Sequence, residues 1–312
     1  MPTRRGSIKL FRLFGITVYL HWSWFIAIFW FVSQALGYTS QFWSVAECLG
    51  LFLLVLMHEF GHQLACRSVG GRTHDIVLWP FGGVAYVSPP QRPGATLWSI
   101  AAGPLVNLLL FPVLTGLRMV VGAMTWHHFV PPTDAGLSDL QLFVWMLWCI
   151  NIVLFVFNML PIYPLDGGQI LRSLLWFIFG RADSLLAASV IGFVGVGVLM
   201  LLAVLAGSGW LIALCLFIVF NCWGGLRQAQ AMAKVAKAPR RGGFACPVCQ
   251  APPPTGNFWR CGKCRQPFDT FATMAICPHC ATQYAATACP ECGSLRPLTE
   301  WIRPAEVPPP LA

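Results

Sequence analysis

His58-Glu59-Phe60-Gly61-His62 lies within a run of apolar residues long enough to cross a bilayer. On a helix, residues four apart share a face, so His58 and His62 can grip one metal ion with Glu59 beside it. Two imidazoles and a carboxylate at this spacing suit a zinc ion that activates water and a general base that takes its proton. The chain has only seven histidines and eleven carboxylates in 312 residues, so the run is not a by-product of composition. A charged residue at the centre of a membrane helix costs roughly 2.5–3.5 kcal/mol on insertion scales, which argues against a merely structural pair of core histidines.

A catalytic zinc takes three protein ligands and keeps one position open. The candidate third ligand is Asp166, in Asn158-Met-Leu-Pro161-Ile-Tyr-Pro164-Leu-Asp166-Gly167-Gly168. Pro161 and Pro164 cannot continue a helix, and Gly167-Gly168 loosen the backbone further, so this stretch reads as a broken membrane helix lining a cavity. Asp166 alone fits equally well as the N-cap of the apolar stretch 167–179. Its depth, matching that of His58 and His62, favours the ligand reading.

The elements that must position these groups follow from composition. The chain is 57% hydrophobic and 10% charged, with a mean hydropathy of +0.67. A soluble domain carries about 25% charged residues, so this is a polytopic α-helical membrane protein with a soluble tail. Six candidate spans cover 20–37, 47–68, 95–121, 140–160, 184–206 and 209–226, each long enough for the hydrocarbon core. The stretch 167–179 reads as a continuation of the fourth span beyond its break. Two stretches read as strands. Ser7–Leu20 alternates around Gly15 as a strand pair at the membrane surface. Asp75–Ser88 places two β-prone runs about Pro80-Phe81-Gly82-Gly83, a hairpin expected to line a cavity beside the histidine helix and to offer a strand edge to an extended peptide.

The net charge of +9 reflects topology rather than a nucleic-acid partner. With the N-terminus in the cytoplasm, Arg4, Arg5, Lys9 and Arg12, then Arg67, Arg72 and Arg92, then Arg172 and Arg181, then Arg227, Lys234, Lys237, Arg240 and Arg241 all fall on that side. Glu47, Asp134 and Asp139 fall opposite, with Arg118 near a membrane end, in keeping with the positive-inside rule. His127 and His128 lie in a loop on the far side from the zinc, and His21 reads as structural.

The last third changes character. Residues 1–228 form the membrane domain, 229–243 a helix extension and linker, 244–296 a cysteine-rich module and 297–312 a proline-rich disordered end. Of thirteen cysteines, eight form the pairs Cys246/Cys249, Cys261/Cys264, Cys277/Cys280 and Cys289/Cys292. Four C-x-x-C knuckles give two closed four-cysteine structural zinc sites, a tandem zinc-ribbon module in the sequential pairing, though crossed pairing satisfies the same spacing. Metal in place of disulfides fits a reducing, cytoplasmic compartment. Structural zinc supplies the folding energy that a module this small lacks. Arg260, Lys263 and Arg265 give only thin support for nucleic-acid binding, and a regulatory protein partner is the favoured role.

The ordered motifs resemble one family specifically. His58-Glu59-Phe60-Gly61-His62, Gly103-Pro104-Leu105-Val106-Asn107 and Asn158-x-x-Pro161-x-x-x-Leu165-Asp166-Gly167-Gly168 are similar to those of the site-2 intramembrane zinc metalloproteases. The opening Gly15-Ile-x-Val-x-x-His21-Trp22-Ser23 and the Pro80–Ala85 hairpin resemble the six-span subgroup without a PDZ domain, which includes the sporulation-factor processing proteases. The tail departs from that subgroup, which often carries a nucleotide-sensing CBS domain. The resemblance implies one catalytic zinc on His58, His62 and Asp166, with Glu59 as general base. It places Asn107 and Asn158 in the active-site region, as substrate-binding or oxyanion-supporting residues; bonding between helices explains them equally well. The expected activity is cleavage of a membrane-spanning protein near the cytoplasmic face of a bacterial or archaeal plasma membrane. The rivals are a catalytically silent scaffold acting through its zinc ribbons, and a zinc enzyme with a non-peptide substrate.

Overall fold

The computed structural model describes residues 6–33, 38–79, 82–122 and 137–303. Arg4 and Arg5, the hairpin tip Pro80-Phe81, the loop with His127, His128 and Asp134, and the end of the proline-rich tail lie outside the described residues. The chain divides into two compact units, Met1–Leu226 and Arg227–Ala312.

The first unit opens with strands β1 (Ser7–Leu13) and β2 (Ile16–His21), turning at Phe14 and Gly15, both with positive φ. Helix α1 (Ser23–Ser33) and the long α2 (Gln41–Ser68) follow, α2 capped by the Ser40 side chain. Strands β3 (Arg72–Trp79) and β4 (Gly82–Ser88) form the expected hairpin. Then come α3 (Pro93–Val120), α4 (Asp139–Asn158), α5 (Asp166–Leu205) and α6 (Gly209–Lys237). Five described helices, α2 to α6, are long and apolar enough to cross a membrane. The chain is thus a multi-pass membrane protein, with α1 as a further apolar helix.

The two hairpins are one sheet, ordered β1-β2-β3-β4, because β2 and β3 pair in parallel from Thr17↔Asp75 to Leu20↔Leu78. Ile16, Val18, Ile76 and Leu78 of the central strands are fully buried and pack with Val55 and Leu56 of α2. Arg67, near the end of α2, holds the sheet down: its guanidinium donates to the Phe14 carbonyl and to Thr73 Oγ1.

The stretch 167–179 does not prolong the fourth span. It runs into the fifth as one element, α5, bent at Gly180 (φ 78°, ψ 178°). Glycine tolerates that φ without a Cβ clash, so the apolar run continues through a bend. The linker between α4 and α5 seats Ile162 among Val196 of α5 and Ile218 and Cys222 of α6.

The second unit is built around Phe271, whose ring stands 5.0 Å from Trp301, 5.2 Å from Phe244 and 5.3 Å from Trp259. Its hairpins are short: β5 (Trp259–Arg260) with β6 (Pro267–Phe268), and β7 (Thr287–Ala288) with β8 (Leu295–Arg296). Its ends pair with each other, Ala245 N–H donating to Trp301 O and Arg303 N–H to Gly243 O.

Candidate metal centres

His58 and His62 sit one turn apart on the buried face of α2. Asp166 is the first residue of α5, with Leu165 as its N-cap, so the carboxylate is not spent on capping. It reaches both imidazoles: Oδ2 lies 3.0 Å from His58 Nε2 and 3.4 Å from His62 Nε2, and the two Nε2 atoms are 3.1 Å apart. Tetrahedral zinc with ligands at about 2.0–2.1 Å separates its donors by about 3.3 Å, so this donor set fits the ion.

The other nitrogen of each ring is already engaged. His62 Nδ1 is 2.9 Å from the Ser99 carbonyl and His58 Nδ1 is 2.6 Å from Asn107 Oδ1. A carbonyl oxygen only accepts, so both rings carry hydrogen on Nδ1 and turn a bare Nε2 to the shared point. This is the usual support of a metal-bound histidine.

The surrounding glycines are there for proximity. A Cβ on Gly103 of α3 would run into Nε2 of both His62 and His58. One on Gly83 of β4 would run into the side chain of Glu59, which is buried under the hairpin. Cβ atoms on Gly167 and Gly168 would strike backbone of Met159, Leu160, Ile162 and Tyr163. Gly167-Gly168 therefore seat α5 against the linker, where sequence reasoning expected them to loosen the backbone.

The two asparagines separate. Asn107, expected at the substrate, is fully buried and both ends of its amide are engaged by protein: Oδ1 faces His58, and Nδ2 donates to Asn151 Oδ1 at 2.9 Å. Its amide thus bonds to both neighbouring helices, with Oδ1 turned to His58 of α2 and Nδ2 to Asn151 of α4. Asn158 ends α4 half-buried, with no side-chain hydrogen bond among the described residues. Asn151 was not anticipated. The available signal was a second asparagine on the apolar α4, two turns before Asn158. His21 stacks on Trp79 at 4.6 Å, consistent with a structural role.

The tail gathers its cysteines as Cys246, Cys249, Cys289 and Cys292 in one group and Cys261, Cys264, Cys277 and Cys280 in the other. The ribbons are nested, not tandem. The backbone pairing of residues 243–245 with 301–303 draws the first and last knuckles together and leaves the middle two to each other. Cross-knuckle sulfur distances are 3.5–3.7 Å. A tetrahedral site with Zn–S of about 2.3 Å requires about 3.8 Å, so both groups fit zinc. The Tyr284 hydroxyl donates to Cys261 Sγ at 2.9 Å and, with the Cys264 backbone N–H, holds that thiol down at about 5. Burial raises the Cys246 thiol, but the Ser294 hydroxyl and the N–H groups of Cys249 and Val248 outweigh it and bring it to about 6.

Comparison with known proteins gives a consistent answer. The profile of peptidase family M50 matches residues 46–135 and 114–202. Zinc metalloprotease MJ0392 of Methanocaldococcus jannaschii is 30% identical over 215 residues, 69% of this chain and 59% of that protein. Stage IV sporulation protein FB of Bacillus subtilis is 32% identical over 145 residues, 46% of this chain and 44% of that protein. The solved structure of the site-2 protease from Methanocaldococcus jannaschii is similar with a TM-score of 0.51 and 28% identity, covering 71% of this chain and 95% of that one. The chain thus spans between 44% and 59% of the length of these two curated relatives.

Proposed function

The chain belongs to peptidase family M50, and from that premise we propose that it is an intramembrane zinc metalloendopeptidase. It cuts a membrane-spanning protein near the cytoplasmic face. One observation carries the reading: His58, His62 and Asp166 bring three donor atoms to one buried point, with Glu59 next to them in the chain.

Zinc held there acidifies water and polarises a carbonyl. The protein's own residues supply the rest. Glu59 accepts the proton of the attacking water and returns it to the departing amine. Strand β4 is an edge of the sheet, and its Gly83 lies over Glu59. A substrate segment, unwound to an extended form, pairs with that edge and is thereby laid along the general base. Asn158 is available to hold the substrate backbone. The distribution of basic residues supports a cytoplasmic location for both termini, and there the two four-cysteine sites of the tail would build a surface for a regulatory protein.

The test is quantitative proteomics of single-span proteins in membranes carrying wild type or Glu59→Gln. Fragments that appear with wild type and fall by roughly 10²–10⁴-fold in the variant, at unchanged zinc content, support the reading. A fragment pattern indifferent to Glu59 removes it.

A further inference from the structure

His62 is oriented by a backbone carbonyl, whose polarity cannot change. His58 is oriented by Asn107, whose amide can turn over. Were it reversed, its NH2 group would face Nδ1 of His58, the ring would shift its hydrogen to Nε2, and the nitrogen needed for metal would be blocked. Something must therefore hold the Asn107 amide one way round.

We propose that Asn151 is that element, a positioning residue that keeps His58 in its metal-binding tautomer through Asn107. Asn151 is almost fully buried in α4 and makes two hydrogen bonds to one residue. Its Nδ2 donates to the Asn107 backbone carbonyl at 2.9 Å, and its Oδ1 accepts from Asn107 Nδ2 at 2.9 Å. The backbone carbonyl of Asn107 accepts only, so it fixes Asn151 with Nδ2 towards it. That leaves Oδ1 of Asn151 facing the Asn107 side chain, which must then present Nδ2. Asn107 Oδ1 is left for His58 Nδ1 at 2.6 Å, and Nε2 is bare. One acceptor-only carbonyl thus sets the direction of every hydrogen bond up to the zinc ligand. Reversing either amide alone would set two acceptors or two donors against each other in a buried site, where each unmade bond is costly.

The inference rests on the zinc reading of the His58 site, and the experiment separates the two. Zinc affinity is measured on the full chain in detergent by chelator competition, with His62→Ala as the reference lacking the membrane site. Wild type binding no more zinc than His62→Ala means that the zinc reading itself fails. Given that site, Asn151→Leu and Asn151→Ser are expected to weaken it roughly 10- to 100-fold, the usual cost of losing outer support of a ligand. The double variant Asn107→Ala/Asn151→Leu is expected to be no weaker than Asn107→Ala, because Asn151 acts only through Asn107. A residue that merely packed α4 on α3 would lower the unfolding midpoint and leave zinc affinity alone. Unchanged affinity in either folded Asn151 variant, or additive losses in the double variant, overturns the proposal.

Discussion

At the scale of single residues, the site depends on two missing side chains. Gly103 faces Nε2 of both histidines and Gly83 faces Glu59. Alanine at each should fail in a different way. Helix propensity favours Ala over Gly by about 1 kcal/mol in a helix interior, but the Cβ of Gly103→Ala meets two imidazoles held at Nδ1, so overpacking of about 1–3 kcal/mol opposes that gain and the midpoint should hold or fall slightly. Its Cβ nonetheless occupies the space beside the donor atoms, and the membrane zinc should be lost or bound at least tenfold more weakly. Gly83→Ala should keep that zinc and lose proteolysis instead, because it displaces the general base and not a ligand. Zinc content and unfolding midpoint of the two purified variants, set beside their cleavage rates, check both halves; equal zinc loss in both would mean that the two glycines do not divide the site in this way. The meeting of His58, His62 and Asp166 was legible in the sequence, because two imidazoles and a carboxylate within an apolar run have no inexpensive structural explanation. The support was not. Ser99 acts through its backbone carbonyl, which no side-chain pattern reveals, and Asn107 reads equally as a substrate contact or a bond between helices until its neighbours are known.

At the scale of elements, the decisive contact is the seating of α5. Asp166 can reach two histidines on α2 only if the start of α5 lies against the linker that leaves α4. Gly167 and Gly168 meet carbonyl or amide atoms of that linker, which no rotamer change can clear. Gly167→Ala and Gly168→Ala should therefore each destabilise by about 1–3 kcal/mol, the usual cost of overpacking, and should weaken zinc binding as Asp166 moves away. Gly116→Ala is the control. It meets nothing within 4 Å, so its midpoint should hold or rise. Thermal unfolding and zinc affinity in detergent decide the matter; a Gly168→Ala protein indistinguishable from Gly116→Ala would show that the seating is not tight. Both hairpins were visible in the sequence as β-prone runs about turns. Their union into one sheet was not, since β2 and β3 pair in parallel across the whole length of α1 and α2. The same limit applied to the stretch 167–179. Hydropathy showed an apolar piece but not that Gly180 would bend it into the following helix.

At the scale of the whole molecule, the two units gather metal-binding side chains by different logic. Among the described residues, the membrane unit brings together one group of three donors, His58, His62 and Asp166, which would leave a zinc ion a position for chemistry. The tail has two centres whose four sulfurs close them. C-x-x-C spacing made the knuckles plain in the sequence, but spacing carries no information on which knuckle meets which. The pairing is decided by the backbone at the module's own ends, where Ala245 meets Trp301 and Arg303 meets Gly243. Nesting has a testable consequence. In the full chain with Cys289→Ser, the outer site opens, so Cys246, Cys249 and Cys292 should become reactive to iodoacetamide while Cys277 and Cys280 stay protected by the inner zinc. A tandem arrangement would give the reverse, exposing Cys277 and Cys280 and sparing Cys246 and Cys249. The variant Cys277→Ser completes the argument. Because the inner ribbon lies within the loop that the outer site closes, its loss lengthens the floppy segment between the outer knuckles and raises the entropy lost in closing them. The outer zinc should then be held more weakly but still bound, since closure entropy grows only slowly with length. Mass-spectrometric mapping of the alkylated cysteines reads both variants; protection of Cys246 and Cys249 in the Cys289→Ser protein would refute the nested pairing.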